Sequence, residues 1–357
     1  MKTKLVYVLT CSPEGNYIEQ ALLAIWSARY HNPAAHIVLF VDDKTNQLIE
    51  EGRNEILKYI SERIVIPFED DSTMMYRSRW IKTSVRSIID GDFLYIDCDT
   101  ICCSSLSAVD ILFQSYEIGA VGDSNVKFQK DISKEKTCKL VSKLGCNIED
   151  EEYYYSSGVI FCRDSDLTRH FYSLWHLYWE QGYSTQEIGI DQPSFAKADI
   201  ECGHLIQPME DIFNCVLYTQ NTHLRDSIIL HLPSYRLSSF LFAKRTLTIL
   251  REKGIEPWIQ HLVTHIHITY LPFDFHIKHS SISDRIKWIR EIREAAMIYG
   301  EKVSRNYEDW SFSVRIINVV VFLFKCRLYY AGASLWLIWK RFSLYKKKGL
   351  KPNVCSN

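Results

Sequence analysis

Two aspartates, Asp97 and Asp99, follow the apolar run FLYI in the stretch FLYIDCDTIC. Side chains at positions i and i+2 of an extended chain point to the same side, so the two carboxylates would lie next to each other. Their repulsion is relieved when a hard divalent cation lies between them and oxygens, often those of a phosphate, complete its coordination. The stretch therefore predicts half of a metal site, although an Asp-x-Asp triplet also occurs as solvated turn residues or helix caps.

The residues that precede this pair are typical of a buried strand, and ligands of open α/β sheets bind beyond the carboxyl ends of strands. Strand and helix patterns alternate through the first two-thirds of the chain, which predicts a sheet with parallel strands and crossover helices. We predict strands at residues 5–10, 36–41, 64–68, 93–96, 118–121, 159–162 and 227–233. We predict helices at residues 17–29, 47–60, 79–89 and 167–179, with the aromatic side chains of the last in the core.

The composition is that of a globular protein. Of 357 residues, 47% are hydrophobic and 24% are charged, with 42 basic against 43 acidic side chains, so nothing in the totals indicates a nucleic-acid binder. The eleven cysteines include no Cys-x-x-Cys pair, which argues against a disulfide framework and a structural zinc site and favours a reducing cytosol. The apolar run at residues 5–9 is too short for a signal-peptide core, and we interpret it as the first strand.

The C-terminal part of the chain differs from the rest in charge. After Asp309 there are nine basic and no acidic residues, whereas the preceding residues carry 33 basic and 43 acidic ones. The charge-free runs at residues 316–324 and 328–339 are shorter than the roughly 20 residues of a membrane span. We expect this tail to lie in a membrane interface, with the lysines at 346–348 on anionic lipid. The alternative is a helical pair packed on the main domain.

Further motifs occur at intervals along the chain. The stretch TCSPEGNYIEQALLAIWSARYHNP begins at residue 10, RSRWIKTSVRSII at residue 77 and YYYSSGVIFCRDS at residue 153. GIDQPSF begins at residue 189 and IILHLPSYR at residue 228. Together with Asp-Cys-Asp, their order and spacing resemble nucleotide-sugar glycosyltransferases of the GT-A fold. The resemblance is to glycosyltransferase family 8, the glycogenin and lipopolysaccharide-galactosyltransferase group, and covers residues 5–235.

The resemblance implies a donor site. Thr10, Cys11 and Tyr17 would contact the nucleotide, since an aromatic face can stack on a base; Tyr17 could also be a packing residue at the start of a helix. Arg79 or Lys82 would neutralise a diphosphate or hold the first aspartate, unless they are solvated helix charges.

The resemblance also implies a metal set and a sugar pocket. Asp97, Asp99 and His231 would bind Mn²⁺ or Mg²⁺. Ser156 stands where the family has an asparagine that bonds the sugar, and Gly158 would let the backbone approach the donor. The family's Gly-x-Lys-Pro-Trp stretch is missing, so Arg236 is the expected phosphate cation.

Two neighbouring residues are the expected catalytic ones. In the family the first, here Asp191, holds sugar hydroxyls, and the second, here Gln192, lies near the anomeric carbon, where it would stabilise an oxocarbenium-like transition state. Because Gln192 cannot be a strong nucleophile, a retaining reaction would proceed on one face, and the leaving phosphate would take the acceptor's proton. Asp123 and Asn214 match family residues that face sugar or acceptor, and both could equally be turn residues.

We therefore expect an α/β GT-A protein with a mixed sheet flanked by helices and a helical C-terminal extension. Its parts would be a catalytic domain at residues 1–240, a helical extension at 241–309 and the basic apolar tail at 310–357. The expected activity is metal-dependent transfer of a hexose from a nucleotide sugar, such as a UDP-hexose, to a glycan or lipid-linked acceptor. The setting would be bacterial lipopolysaccharide or surface-polysaccharide synthesis at the cytoplasmic face of a membrane.

Two alternatives belong to other functional classes. A metal-dependent nucleotidyl- or phosphotransferase would be expected to carry a Gly-rich phosphate loop, and the chain contains neither G-x-x-x-x-G-K-S/T nor G-x-G-x-x-G. A non-catalytic sugar-binding or membrane-scaffold protein of the same fold would gain nothing from a cluster of Asp97, Asp99 and His231.

Overall fold

The computed structural model describes residues 1–131, 133–216, 226–232, 244–264 and 266. The strands are β1 (Lys4–Leu9), β2 (Ile37–Asp42), β3 (Glu62–Ile66), β4 (Phe93–Ile96), β5 (Thr100–Cys102), β6 (Ile118–Gly122), β7 (Tyr155–Cys162), β8 (Ile206–Pro208), β9 (Cys215–Val216) and β10 (Ile229–His231). The helices are α1 (Tyr17–His31), α2 (Asp43–Glu50), α3 (Met74–Ile88), α4 (Val109–Leu112), α5 (Lys134–Ser142), α6 (Asp166–Gln186), α7 (Gln192–Glu201), α8 (Lys244–Lys253) and α9 (Pro257–Thr264).

The described strands form two sheets. The larger has the order β3-β2-β1-β4-β7-β6-β8. Strands β3, β2, β1 and β4 run parallel to one another, whereas β7 is antiparallel to both β4 and β6. The smaller sheet has the order β5-β10-β9 and follows directly from the end of β4. The mixed sheet flanked by helices confirms the predicted α/β fold class, and the reversed direction of β7 replaces the parallel pairing that the alternating pattern favours.

Helix α6 supplies much of the aromatic core. It begins with a capping box in which the Ser165 hydroxyl accepts the Thr168 N–H. Trp175 and Trp179 are buried, and the Trp175 ring lies 4.7 Å from the Phe195 ring of α7. The prediction that these aromatic residues belong to the core is confirmed, and their packing holds α6 and α7 together beside the sheet.

The predicted helix at residues 47–60 is wrong. Helix α2 starts earlier, because the Asp42 carboxylate caps it by accepting the Thr45 N–H, and it ends at Glu50. Gly52 then adopts φ +138°, which side-chain-bearing residues rarely adopt, and a separate 3₁₀ turn follows at Asn54–Lys58. The apolar residues keep a helical spacing on both sides of Gly52, so the spacing does not reveal this break.

Several predictions fall outside the described residues: the phosphate cation Arg236, the part of the helical extension after residue 266 and the tail at 310–357. The proposed domain limits at 240 and 309 stay predictions. Within the described part, α8 is joined to α1 by an ion pair between Arg251 and the buried Glu19, 3.2 Å apart. Among the helices that the structure describes, none combines the length and apolarity needed to cross a membrane.

One buried carboxyl connects α7 to the edge strand β8. Asp199 is 6% exposed, and its Oδ1 accepts the backbone N–H of Ile206 at 2.8 Å. Burial raises the pKa of Asp199 from 3.8 to about 6. The folded protein therefore binds this proton more tightly than the unfolded chain, and the associated stability is present at low pH and lost as pH rises through about 6.

We predict that Asp199→Asn stabilises the protein relative to wild type above pH 6 and not at pH 4. The amide keeps the oxygen that bonds Ile206 and carries no charge, so the difference in unfolding free energy should grow by about 3 kcal/mol across this range. Urea denaturation at a series of pH values measures it. Asp70→Asn, which removes a fully exposed carboxylate, is the matched control. A difference that stays flat with pH would contradict the prediction.

Candidate metal centre

The Asp-Cys-Asp stretch lies at the carboxyl end of β4, in the turn that leads into β5. The strand ends at Ile96, and the Thr100 hydroxyl donates to the Asp97 carbonyl at 2.8 Å, which closes the turn. The two carboxylates therefore converge through a turn and not through the strand alternation that the sequence suggests. Because β5 and β10 are antiparallel and pair Thr100 with His231, the imidazole arrives beside the second aspartate.

Asp97, Asp99 and His231 each offer one ligand atom, and these atoms all lie within 4.8 Å of one another. His231 Nε2 is 3.0 Å from Asp99 Oδ1. Burial opposes the charged form of His231, but the nearby Asp99 carboxylate outweighs it, and the pKa of His231 is raised. Burial likewise disfavours ionised Asp99, yet His231 lowers the pKa of that carboxyl. The three predicted ligands are thus brought together.

Gly158 makes room for this cluster. It lies on β7, and its carbonyl accepts the Asp97 N–H at 2.8 Å. A Cβ at this position would lie 2.7 Å from His231 Cε1 and 3.1 Å from Asp97 Oδ2. The backbone of β7 therefore approaches both predicted ligands closely, which only a residue without a side chain permits.

Lys82 lies beneath the carboxylates. Its side chain is 3% exposed, and Nζ lies 3.4 Å from Asp97 Oδ1 and 3.1 Å from Asp191 Oδ2. It also donates to Ser157 Oγ at 3.2 Å. Of the two roles expected for this residue, it occupies the position for holding the first aspartate, and it connects that aspartate to the start of α7.

Asp191 stands at the N-terminal end of α7 and is buried. Its backbone carbonyl accepts the indole N–H of Trp175 at 3.0 Å, which ties it to the aromatic core. Its carboxylate accepts from Ser157 Oγ at 2.8 Å and lies 2.9 Å from Arg79 Nε, an ion pair without hydrogen-bond geometry. Burial would raise the pKa of Asp191, but Lys82 and Arg79 outweigh it and lower the pKa to about 2.

Asp123 and Gln192 meet at the same edge of the sheet. Asp123 directly follows β6, and Gln192 is the first residue of α7. Burial raises the pKa of Asp123, and a hydrogen bond from the Gln192 side chain offsets part of that effect. The predicted catalytic amide is thus in contact with the predicted sugar or acceptor residue.

Ser156 and Asn214 lie behind His231, on the side of the imidazole away from Asp99. Asn214 is 0% exposed, its Nδ2 donates to Ser156 Oγ at 3.1 Å, and its Oδ1 lies 2.9 Å from His231 Nδ1. This placement disagrees with the expected contact between Asn214 and an acceptor, because the amide is enclosed and both of its ends have partners in the protein. Ser156 is also buried, and its hydroxyl accepts the hydrogen bond from Asn214.

The residues predicted to contact the nucleotide follow β1, the strand next to β4. Thr10 and Cys11 are buried, and the Cys11 N–H donates to Thr45 Oγ1 at 2.7 Å. Tyr17 begins α1 and is 41% exposed. Arg236 lies outside the described residues.

Two contacts at the centre were not predicted from the sequence. The Tyr95 hydroxyl donates to Asp97 Oδ1 at 2.6 Å. Ser157 bridges Lys82 and Asp191. Tyr95 could have been recognised, since it stands two residues before Asp97 and shares its side of the chain, whereas nothing in the local pattern marks Ser157.

The donor set fits a divalent cation. The two carboxylates offer the oxygen ligands that Mg²⁺ and Mn²⁺ prefer. The imidazole offers a nitrogen ligand that suits divalent transition metals. Mn²⁺ accommodates both donor types. Lys82 offsets only part of the charge of two adjacent carboxylates, and a divalent ion would neutralise the remainder.

Comparison with protein-family models finds none that matches the chain, and no curated protein matches it. Similar solved structures include mouse xyloside xylosyltransferase 1, with 12% identity, a TM-score of 0.45, and coverage of 65% of this chain and 98% of that one. The galactosyltransferase LgtC, solved with donor and acceptor sugar analogues, has 14% identity, a TM-score of 0.43, and coverage of 80% and 100%. The glycosyltransferase GlyE of Streptococcus pneumoniae has 14% identity, a TM-score of 0.44, and coverage of 79% of this chain and 66% of that one.

All three structures are glycosyltransferases by name. Their similarity to this chain is low in both identity and superposition, and the geometry of the metal centre does not depend on it. Membership of glycosyltransferase family 8 stays a prediction.

We predict that Gly158→Ala weakens binding of Mn²⁺ by about tenfold or more, because the new methyl group must displace His231 or Asp97. Isothermal titration of the purified protein with Mn²⁺ measures the effect. Gly119→Ala is the matched control, since the same change on neighbouring β6 meets the side chains of Met209 and Tyr116 and none of the predicted ligands. Equal affinities for wild type and Gly158→Ala would contradict the close packing inferred here.

We also predict strong coupling between Lys82 and Asp191. Asp191→Asn leaves a buried ammonium without its nearest carboxylate and should destabilise the protein by about 3 kcal/mol or more. In the Lys82→Met background the same change should be much less destabilising. Denaturant unfolding of the four proteins measures the coupling. Because the pKa of Asp191 is lowered to about 2, the destabilisation should shrink as pH falls from 4 towards 2; additive single changes would contradict the ion pair.

Proposed function

We propose that this protein is a metal-dependent glycosyltransferase that moves a hexose from a nucleotide sugar, a UDP-hexose, to a glycan or lipid-linked acceptor. The observation that carries the proposal is the convergence of Asp97, Asp99 and His231 at the carboxyl edge of the sheet, where ligands of α/β proteins bind. The adjacent cations Lys82 and Arg79 support it, because a diphosphate donor is anionic.

The donor would lie across the ends of β1 and β4. Thr10 and Cys11 would present backbone groups to the base, and the exposed ring of Tyr17 would stack on it. Asp97, Asp99 and His231 would hold a divalent ion, which would supply positive charge to offset the negative charge on the leaving nucleoside diphosphate. Arg236 is the further phosphate cation that we propose from the sequence.

The sugar would lie between the metal centre and the start of α7. Asp191 is ionised and held by two cations, so it can accept hydrogen bonds from sugar hydroxyls without moving. Gln192 offers a neutral amide next to Asp123, a geometry suited to stabilising developing positive charge through the amide oxygen. An amide is a poor nucleophile, so we propose retention with attack and departure on the same face of the sugar.

The acceptor proposal rests on the sequence of the tail. An apolar segment with nine basic and no acidic residues suits an anionic lipid surface. We therefore propose a lipid-linked acceptor, peripheral attachment at the cytoplasmic face of a bacterial membrane, and a product in lipopolysaccharide or surface-polysaccharide synthesis.

We predict that one UDP-sugar, among a panel of UDP-, GDP- and CDP-sugars, binds and is slowly hydrolysed only when Mn²⁺ or Mg²⁺ is present. Asp97→Asn combined with Asp99→Asn should abolish both, a larger effect than the roughly 10–100-fold loss that follows removal of an outer hydrogen bond to a metal ligand. Calorimetry and release of UDP measure binding and hydrolysis.

Asp70→Asn serves as the control, since it removes a carboxylate of the same type that is fully exposed. Failure of every nucleotide sugar to bind with any divalent ion would reject the proposal and favour the non-catalytic alternative.

A further inference from the structure

His231 has two ring nitrogens that face different surroundings. Nε2 lies 3.0 Å from Asp99 Oδ1, on the side of the two carboxylates, whereas Nδ1 lies 2.9 Å from Asn214 Oδ1. A neutral imidazole carries its proton on only one nitrogen, and only the other can bind a cation. The partner of Nδ1 therefore decides whether Nε2 is available as a ligand.

The amide of Asn214 lies between Ser156 and His231. Its Nδ2 donates to Ser156 Oγ at 3.1 Å, and its Oδ1 faces His231 Nδ1 at 2.9 Å. The Ser156 hydroxyl also accepts the Gly158 N–H at 3.2 Å, so it is itself held by β7. The backbone carbonyl of Asn214 accepts from Asn125 Nδ2 at 2.9 Å, which anchors the turn that carries it.

An amide oxygen can only accept a hydrogen bond, so this orientation requires the proton of His231 on Nδ1. The Nε2 lone pair then points towards Asp97 and Asp99. We propose that Asn214 is a positioning residue for the metal centre: it selects the tautomer and ring orientation of His231 that bind the cation. The inference rests on the proposed function only in so far as that function needs a divalent ion at this centre.

The proposal gives Ser156 and Asn214 a different place in the site from the one that the sequence suggests. Both are enclosed behind the imidazole and act on it through a continuous path of hydrogen bonds from β7. They would contact neither sugar nor acceptor. Hydrogen bonds to the remote nitrogen of a ligating histidine typically change metal affinity by about 10–100-fold when they are removed.

The test measures the Mn²⁺ dissociation constant of the full chain without nucleotide by isothermal titration. Asn214→Ala should weaken Mn²⁺ binding about 10–100-fold. Asn125→Ala is the matched control: it removes a buried amide that holds the same turn but does not touch His231, and it should leave Mn²⁺ affinity close to wild type. A loss of affinity in Asn125→Ala as large as in Asn214→Ala would overturn the proposal, because the effect would then be structural.

Two near-isosteric variants cover the case in which Asn214→Ala does not fold. Asn214→Asp keeps an acceptor opposite Nδ1 and should bind Mn²⁺ at least as tightly as wild type, whereas Asn214→Leu removes the acceptor and should bind as weakly as expected for Asn214→Ala. Wild-type affinity in Asn214→Leu would overturn the proposal.

The tautomer itself is read from long-range ¹H–¹⁵N spectra of the protein loaded with diamagnetic Mg²⁺. The His231 signals are identified by their loss in His231→Gln. We expect a proton on Nδ1 and none on Nε2, and a proton on Nε2 in the loaded protein would overturn the proposal.

If wild type binds Mn²⁺ but Asn214→Ala binds it equally well, only this inference fails. If wild type binds no divalent ion, the proposed function fails and the inference falls with it.

Discussion

The repulsion between the carboxylates of Asp97 and Asp99 is the constraint on which the rest of this site depends. Two like charges are held in one turn at the end of a buried strand, where desolvation adds to their repulsion. Neighbouring groups that donate hydrogen bonds or carry positive charge offset part of this repulsion. Lys82 and the Tyr95 hydroxyl bind Asp97, and His231 binds Asp99. A divalent cation, as proposed for this site, would neutralise the remaining negative charge.

Lys82 shows how the charges of the site are shared. It is almost fully buried and lies between Asp97 and Asp191, so one ammonium group serves carboxylates on two separate elements. Arg79, one turn earlier on α3, adds a second cation to Asp191. Ion pairs as well as packing therefore fix the position of α3 relative to β4 and α7. Loss of either partner would disturb both the metal centre and the start of α7.

Much of the fold could be predicted from the sequence because buried strands and helices leave a local pattern. The sheet strands and the aromatic core of α6 follow from hydrophobic periodicity and residue type. The break at Gly52 could not be found that way, because the apolar spacing continues across a residue whose backbone conformation ends the helix. The antiparallel direction of β7 likewise depends on tertiary contacts and cannot be predicted from the sequence of the strand alone.

For the candidate site the limit is sequence separation. Asp97 and Asp99 are recognisable as a pair because they are neighbours, whereas His231 joins them only through the resemblance to a family or through the pairing of β5 with β10. Asn214 was predicted to face an acceptor only because it matches a family residue that does so. Its complete burial beside His231 depends on three segments that meet only in the folded chain.

The small sheet explains why this long-range arrangement can be precise. Strand β10 is only three residues long, and its side chains alternate between two faces. Leu230 and Leu232 are both buried and flank His231 in sequence, so they lie on the opposite face from the imidazole. A slip of one residue against β5 would turn His231 towards the side that these leucines occupy and move a leucine to the metal centre. The pairing of β10 with β5, which sets His231 opposite Thr100, thus delivers the third predicted ligand.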